Sequence, residues 1–433
     1  MKLQIGDGTT WTDLTPDSGT IRLIDIERVA ARREEDVTEK ATFSATTAGG
    51  AAEAALLAVQ QWFDKARLRQ TNIAIPRVML RLRHANDTDW WRAEIRDGSA
   101  ASETTTRQAQ GGISRFGVTW VREAQPYAET ETTAVVGATV YNTSADGNLN
   151  YYSLGNVSSA ALSPLRLAIT NNNTSALAKI FAGLYLTPTV SISPLTAATT
   201  QEAEAGTVLA GTGTITASGS ASGGSYRAFS WSSGVETALL KWALSATSLS
   251  YLGARAWRAF ARVTAAPSNV SRMRVSLRYG SLTVAQTELA PVAGSALIEL
   301  PALPVPPYEA SGSTYSGLDL VVSAVGSSGL TSTLNLDALH LLPTDGYRVY
   351  TAPTGGTLAQ NEVLHDRPNS EVVHQAASVA VRSTFAALGQ PLRAGLGWQA
   401  VLMMLLQDAS GGAGIGLNVG VSAYYQARRR TAI

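Results

Sequence analysis

The 433-residue chain contains no cysteine. This absence excludes a disulfide scaffold, thiolate zinc sites, iron–sulfur clusters and a cysteine nucleophile, although it does not identify a compartment. No apolar run reaches the roughly 18 residues that a membrane span needs, so we expect no membrane insertion. The 34 basic and 33 acidic residues leave a net charge of only +1. General nucleic-acid binders carry a basic face, so we expect no nucleic-acid binding.

Charge is scarce beyond the first third of the chain. Residues 1–140 hold 17 of the Lys and Arg residues and 19 of the Asp and Glu residues. The remainder is rich in Ser, Thr, Ala and Gly, with short runs of β-branched or aromatic residues, a composition that suits stacked sheets joined by turns. The length indicates two or three domains. A surface with so few charges favours packing against copies of the chain or presenting a binding face.

The N-terminus, MKLQIGDGTTW, lacks the uninterrupted apolar core of a signal peptide. We therefore expect synthesis in the cytosol, with any exit by lysis or as part of an assembled particle.

Residues 1–140 predict a small α+β domain. Ala51–Leu68 carries an apolar stripe at three- and four-residue steps, which is typical of an amphipathic helix. The stripe consists of Ala55, Leu56, Val59, Trp62, Phe63 and Ala66. Alternating segments predict strands at Thr20–Ala30, Pro76–Arg83, Trp90–Arg96 and Ile113–Glu123. Asp97–Gly98 is a turn signal after the third of these strands.

This order of elements resembles the N-terminal ring-forming domain of siphophage distal tail and related baseplate proteins. The resemblance rests on the helix, on Trp91–Ile95 ahead of Asp97–Gly98, and on a strand ending in the sequence from Arg122 to Tyr127. It implies a β-sandwich or split-barrel with one helix, closing into a hexameric ring beneath the tail tube. An unrelated α+β domain is the alternative.

Short strands separated by turn residues fill residues 196–345, as in a β-sandwich. They are predicted at Ser225–Trp231, Ala238–Leu244, Arg255–Val263, Arg272–Tyr279, Ala296–Leu300 and Leu318–Ala324. The segment opens with Glu202 and Glu204 and closes with Asp337 in an apolar run. This bracketing resembles carbohydrate-binding modules of the family-6/35 jelly-roll type, and the resemblance implies that the three carboxylates hold a structural calcium.

Calcium prefers six to eight oxygen ligands, and two residues spaced two apart in a strand share a face. The alternative is that Glu202 and Glu204 are solvated at a strand start while Asp337 caps a turn. We expect no other cofactor.

Modules of this type stack a sugar ring on an exposed aromatic side chain. Tyr226 and Tyr251 are the candidates for carbohydrate binding here, with core packing as the alternative for both. Trp231, Trp242 and Trp257 lie within strand-like runs and are predicted to be core residues.

The segments on either side of this module predict two halves of one domain. Residues 141–195 and 346–433 each contain too few strands to cover their apolar faces alone. Pairing them gives a discontinuous second β-sandwich into which the jelly roll is inserted. One of the buried strands would be Trp398–Leu406. Three consecutive domains are the alternative.

Catalytic motifs are missing from the chain. There is no Walker loop, Rossmann fingerprint or Gly-x-Ser-x-Gly elbow, and the spacing of His365 and His374 matches no zincin pattern. We therefore expect no catalytic residues and no enzyme activity. Arg428–Arg430 could grip phosphates, but a solvated end or a contact with a neighbouring subunit is favoured.

The sequence therefore predicts a mainly β chain with a small α+β N-terminal part: a β-sandwich or split-barrel ring domain plus jelly-roll β-sandwich domains. The expected function is that of a structural virion protein at the tail tip, which presents a glycan-binding-like module for host adsorption. Expected partners are copies of the chain in a hexameric ring, the tail tube protein, tail tip or fibre proteins, and a host surface glycan. The alternatives are a stand-alone carbohydrate-binding protein and a glycan depolymerase.

Overall fold

The computed structural model describes the chain outside a set of short segments. These are 16–20, 34–35, 46–49, 86, 103–113, 125, 136–148, 188–192, 291–296, 308–316, 353–356, 368–371, 377–379, 383–384, 408–418 and 429–433. The chain forms two compact units. Unit 1 comprises Met1–Thr132, Ser159–Ser163 and Gln426–Ile433, and unit 2 comprises Thr133–Ser158 and Pro164–Tyr425.

The described residues of unit 1 form one helix and an antiparallel sheet. The helix α1 spans Gly50–Thr71. The strands are β1 (Lys2–Gly6), β2 (Trp11–Asp13), β3 (Ile21–Arg33), β4 (Asp36–Ala45), β5 (Met79–Arg83), β6 (Trp91–Ser102), β7 (Ser114–Glu123) and β8 (Tyr127–Ala128). They follow the order β2-β1-β5-β6-β7-β4-β3, and β8 pairs with β6.

The predicted helix is confirmed, and its apolar stripe faces the core of unit 1. Val59, Phe63 and Ala66 are buried. The other members of the stripe are partly buried against the same core. At the centre of this contact the helix approaches β6 so closely that a Cβ atom on Gly98 would lie 2.5 Å from the ring of Phe63. Only glycine therefore fits at this point of the strand.

The turn predicted at Asp97–Gly98 is wrong. β6 continues through this pair to Ser102, and the pairing register with β7 shifts between Ile95 and Asp97. Asp97–Gly98 lies at a shift in the pairing register within β6, and the missing side chain of Gly98 allows α1 to pack closely against the strand.

A buried ion pair lies in the sheet of unit 1. Arg122 and Glu39 are completely or almost completely buried, and Arg122 donates to both carboxylate oxygens, at 2.5 and 2.7 Å. The indole of Trp120 donates to the same carboxylate at 2.9 Å. Arg122 shares a strand face with Phe116, Val118 and Trp120, because residues two apart in a strand point to the same side. It lies on the buried face two residues after Trp120, because Glu39 compensates its charge.

The remaining strands are numbered from β9 to β29. They are β9 (Thr132–Val135), β10 (Leu149–Asn171), β11 (Leu177–Thr187), β12 (Thr200–Glu202), β13 (Thr207–Val208), β14 (Thr214–Ala217), β15 (Ser225–Trp231), β16 (Glu236–Ala243), β17 (Arg255–Val263), β18 (Val270–Tyr279), β19 (Leu282–Leu289), β20 (Leu297–Val305), β21 (Leu318–Gly326), β22 (Ser332–Pro343), β23 (Arg348–Thr351), β24 (Val363–Asp366), β25 (Val372–Gln375), β26 (Ala380–Arg382), β27 (Ala386–Gly389), β28 (Arg393–Gln407) and β29 (Val419–Tyr425). The short helices of unit 2 are α2 (Ser193–Thr199), α3 (Ala246–Leu252) and the 3₁₀ turns Ala203–Ala205 and Ser222–Gly224.

Two sheets of unit 2 are built from the described part of residues 200–343. The six-stranded sheet has the order β14-β15-β22-β17-β20, with β12 paired to β22, and the five-stranded sheet has the order β13-β16-β21-β18-β19. Apolar residues of both sheets form one hydrophobic core. Trp231, Trp242 and Trp257 are buried in it, as predicted.

The third sheet of unit 2 has ten strands in the described part of the chain. It draws β10 and β11 from before residue 196 and β23 to β29 from after residue 345, and β9 pairs with β29. Trp398–Leu406 lies within β28, where the side chains from Val401 to Leu405 are buried. The division of residues 141–433 into a discontinuous sandwich and an inserted jelly roll stays a prediction.

Within unit 2, the ten-stranded and six-stranded sheets share buried contacts. The rings of Phe181 on β11 and Phe260 on β17 meet edge to face, with centroids 4.9 Å apart. A Cβ atom on Gly183 would lie 2.5 Å from the carbonyl oxygen of Pro343. The missing side chain therefore permits a close approach between β11 and the end of β22.

The predicted fold class is confirmed, since the chain is mostly β and forms several antiparallel sheets with few helices. Among the described residues, no helix combines the length and the apolar character that crossing a membrane requires.

Candidate functional site

The predicted acidic residues lie where the first and last strands of residues 200–343 meet. β12 pairs with β22, and Glu202 stands opposite Ala338, the neighbour of Asp337. Glu204 does not continue the strand, because β12 ends at Glu202 and the chain turns into the 3₁₀ turn Ala203–Ala205. The prediction that the two glutamates share one strand face is therefore wrong. Arg227 fixes this turn by donating to the carbonyl oxygens of Ala203 and Glu204.

Ser222 connects two of the three acids. Its hydroxyl donates to Glu202 Oε1 at 2.7 Å, and its backbone N–H donates to Asp337 Oδ2 at 3.0 Å. Glu204 also approaches the 3₁₀ turn Ser222–Gly224. A Cβ atom on Gly223 would lie only 2.7 Å from Glu204 Oε1. Gly223 has φ +60°, a backbone conformation that favours glycine.

A basic side chain is paired with Asp337. Arg262 on β17 places Nη1 2.6 Å from Asp337 Oδ2, and both side chains are at least 97% buried. The other terminal nitrogen of Arg262 donates to the carbonyl oxygen of Ser220 at 2.9 Å. The acidic site therefore already contains a positive charge that belongs to the chain.

Burial dominates the electrostatics of this site. It raises the pKa of Asp337 to about 6, against the lowering effects of Arg262 and of the Ser222 N–H. It also raises the pKa of Glu204 and lowers the pKa of Arg262. His340, which is completely buried on β22, has its pKa lowered to about 3 by burial and by the charge of Arg262. Each of these shifts reflects the cost of placing a charge away from water.

The residues do not fit a calcium ion in the way the resemblance implies. Calcium would need several carboxylate oxygens at about 2.4 Å. Asp337 Oδ2 already contacts Arg262 and Ser222, although Asp337 Oδ1 and Glu204 Oε2 are buried and accept no hydrogen bond within the described residues. In that part of the chain, no three acidic or histidine side chains converge as a metal site. Calcium binding by these residues therefore stays a prediction.

The two tyrosines proposed for carbohydrate binding have different surroundings. Tyr226 is partly exposed on β15, opposite Thr216 of β14. Arg227 and Phe229 point to the opposite face of the sheet, because side chains alternate along a strand. That face is the inner one, since Phe229 is buried in the core. Tyr226 therefore lies on the outer face of the six-stranded sheet, where a sugar ring could reach it.

Tyr251 instead packs against another aromatic residue. It lies in α3, and its ring stacks on Tyr185 of β11 with centroids 6.4 Å apart. The Tyr185 hydroxyl donates to the backbone oxygen of Tyr251 at 2.9 Å. This packing connects α3 to the ten-stranded sheet, which favours the structural alternative for Tyr251.

Sequence reasoning did not predict the role of Arg262. A signal was present, because Arg262 lies inside the run Trp257–Val263, in which apolar and small residues dominate. An arginine inside a buried run requires a counter-charge, and Asp337 in the closing apolar strand was the acid available to supply it.

Arg428 forms an ion pair within unit 1. Its Nη1 lies 2.9 Å from Glu123 Oε1, and its backbone N–H donates to Ser159 Oγ at 2.9 Å. The rest of the terminal basic run, Arg429 and Arg430, lies outside the described residues.

Comparison with known proteins gives low similarity. No protein-family model and no curated protein sequence matches the chain. Among solved structures, the Dit hub adsorption protein of phage SPP1 matches with 7% identity and a TM-score of 0.16, over 78% of this chain and 98% of that chain. The VP2 subviral particle of infectious bursal disease virus matches with 11% identity and a TM-score of 0.19, over 69% of this chain and 81% of that chain. The Gt strain of that virus gives 12% identity and a TM-score of 0.17, over 85% and 87%. Scores this low do not establish a shared fold.

Proposed function

We propose that the chain is a structural protein of a long-tailed phage, a distal tail or baseplate hub subunit that connects the tail tube to the tip. Two features support the proposal: the resemblance carried by the first 140 residues, and an open sheet edge in unit 1. The role would be that of a building block, without enzyme activity.

The open edge is the observation that carries the proposal. β3 is the terminal strand of its sheet, and it is thirteen residues long. In the described part of unit 1 it pairs with β4 alone. Ile24 and Val29 on this strand are 51% and 56% exposed. A long edge strand with exposed apolar side chains is a template for pairing with another chain.

Pairing between copies would cover this edge. A contact that joins the edge of one copy to a different surface of the next is heterologous, and it closes into a ring when the rotation between copies allows. A hexameric ring at the end of the tail would place six copies around the tube axis. The tail tube protein and tip or fibre proteins would contact its two faces.

The sandwich of residues 200–343 would present a glycan-binding face for host adsorption. Tyr226 supplies a partly exposed ring on the outer face of the six-stranded sheet. Weak contacts of this kind become effective when six copies act together, because the later contacts are effectively intramolecular.

A matched pair of substitutions tests the ring. Val29→Lys places a charge on the open edge, and Val235→Lys makes the same change at a residue of unit 2 that is 72% exposed. Size-exclusion chromatography with light scattering should show a ring for the wild type and for Val235→Lys, but smaller species for Val29→Lys. A wild type that stays monomeric at high concentration would contradict the proposal and favour a stand-alone carbohydrate-binding protein.

Release of reducing sugar from cell-wall or capsule preparations would favour a depolymerase.

A further inference from the structure

The acidic site of unit 2 contains a buried ion pair that the proposed function does not use. Arg262 and Asp337 form an ion pair with a separation of 2.6 Å, and their side chains are 3% and 0% exposed. Removing a charge from water is costly, so a buried pair persists only where each partner compensates the other. Each member of this pair therefore requires the other.

The sheet itself sets the position of this pair. Arg262 on β17 stands opposite Ala338 of β22, so Asp337 is one residue away on the neighbouring strand. β22 is also the strand to which β12 pairs. The guanidinium thus lies at the junction of the first and last strands of the sandwich, the place that the resemblance assigns to a metal ion.

Ser222 extends the pair to the start of the sandwich. It donates from its backbone to Asp337 and from its hydroxyl to Glu202. Arg262 in turn donates to the carbonyl oxygen of Ser220, two residues before Ser222. One guanidinium therefore connects β17, β22 and the loop that precedes β15, and Ser222 joins β12 to them.

A divalent cation at Asp337 would lie within a few ångströms of the guanidinium. Like charges at such a distance repel strongly where water is excluded. The positive charge of Arg262 also neutralises the carboxylate whose charge would attract the metal.

We propose that Arg262 is the structural cation of this sandwich, so that the module folds without calcium. The guanidinium holds Asp337 from β17, and Ser222 connects this carboxylate to Glu202 at the end of β12. Any adsorption function of the module would then be independent of calcium.

The first test measures the melting temperature of the full chain in calcium and in chelator. After dialysis against EDTA, addition of about 5 mM calcium chloride should leave the wild-type melting transition unchanged, because a ligand that does not bind the native state does not shift it. A transition that rises with calcium and falls with EDTA would overturn the proposal.

The second test removes the guanidinium. Arg262→Met should lower the melting temperature by roughly 10 °C, since it leaves a buried carboxylate without its partner. Arg258→Met, on the same strand, is the control. Arg258 is 30% exposed and lies 3.6 Å from Glu299, so its loss should have a much smaller effect. Equal losses in the two variants would overturn the proposal.

The loss in Arg262→Met should depend on pH. Without the guanidinium the pKa of Asp337 rises above its present value of about 6, and the other titratable groups at the site are Glu202, Glu204 and His340. A raised carboxyl pKa stabilises the folded state only while the group is protonated, so this stability disappears as the pH rises. The deficit relative to the wild type should therefore be larger near about pH 8 than near about pH 5. A deficit that is constant with pH would count against the charge argument.

A double variant keeps the test informative if Arg262→Met fails to fold. Arg262→Met combined with Asp337→Asn removes both charges, and it should recover most of the lost melting temperature. If the double variant melts as low as the single one, or does not fold, packing rather than charge explains Arg262, and the proposal fails.

Discussion

Replacing Glu39 by Gln should destabilise unit 1 far more than its single-atom change suggests. Glu39 is 1% exposed, and its carboxylate accepts from Nε and Nη2 of the fully buried Arg122 and from the indole N–H of Trp120. Glutamine keeps the shape but leaves the arginine charge uncompensated. Breaking a buried pair in this way costs about 3–5 kcal/mol. Unit 1 should accordingly melt roughly 10 °C lower.

The control is Asp97→Asn, which breaks an exposed pair in the same unit. Asp97 lies 2.7 Å from Arg67, but the two side chains are 52% and 45% exposed. Such a pair contributes about 0–1 kcal/mol. Thermal denaturation followed by circular dichroism would compare the variants, and hydrogen exchange in peptides from β4 and β7 would assign the loss to unit 1. Similar stabilities of the two variants would refute the reasoning about burial.

Four further predictions concern other parts of the chain. Gly98→Ala should lower the free energy of unfolding by about 1–3 kcal/mol in urea titrations, because the added methyl group would overlap the ring of Phe63. His340→Gln should reduce acid sensitivity. The folded pKa of His340, about 3, lies below its ordinary value of 6.5, so the neutral ring stabilises the fold above pH 6.5 and this contribution declines as the pH falls toward 3. Between pH 6.5 and about 4.5 the wild type should lose roughly 2 kcal/mol that the variant keeps, as measured by urea denaturation. Tyr226→Ala should weaken binding to host cell-wall fragments in a pull-down without changing the melting temperature. Tyr251→Ala should lower the melting temperature, because Tyr251 stacks on Tyr185.

The sequence was most informative where one periodicity decides the structure. The apolar stripe in Ala51–Leu68 predicted a helix that the structure extends to Gly50–Thr71. Ser225–Trp231 and Arg255–Val263 were predicted with the bounds that β15 and β17 have. In these segments local pattern and tertiary burial agree, so the pattern alone suffices.

The sequence was least informative where contacts with residues distant in the chain determine the burial or the conformation of a segment. Arginine side chains are mostly exposed. Arg122 and Arg262 are both buried, because Glu39 and Asp337 approach from other strands. Asp97–Gly98 resembles a turn, but the glycine serves a contact with a helix about thirty residues earlier in the chain. Such partners are brought together by the topology, which a single sequence does not display.

The acidic site illustrates the same limit. The adjacency of the first and last strands followed from the resemblance, and β12 does pair with β22. The turn that carries Glu204 out of the strand, and the arginine that reaches Asp337 from β17, depend on tertiary packing.

The central claim is that copies of this chain assemble through the open edge of unit 1. The most direct measurement is the native mass of the purified full-length chain, together with negative-stain images of the same sample. With a chain mass of 45.4 kDa, a closed ring of six copies has a mass of about 270 kDa and should show six-fold symmetry in projection. A single species at 45.4 kDa at high protein concentration would contradict the account.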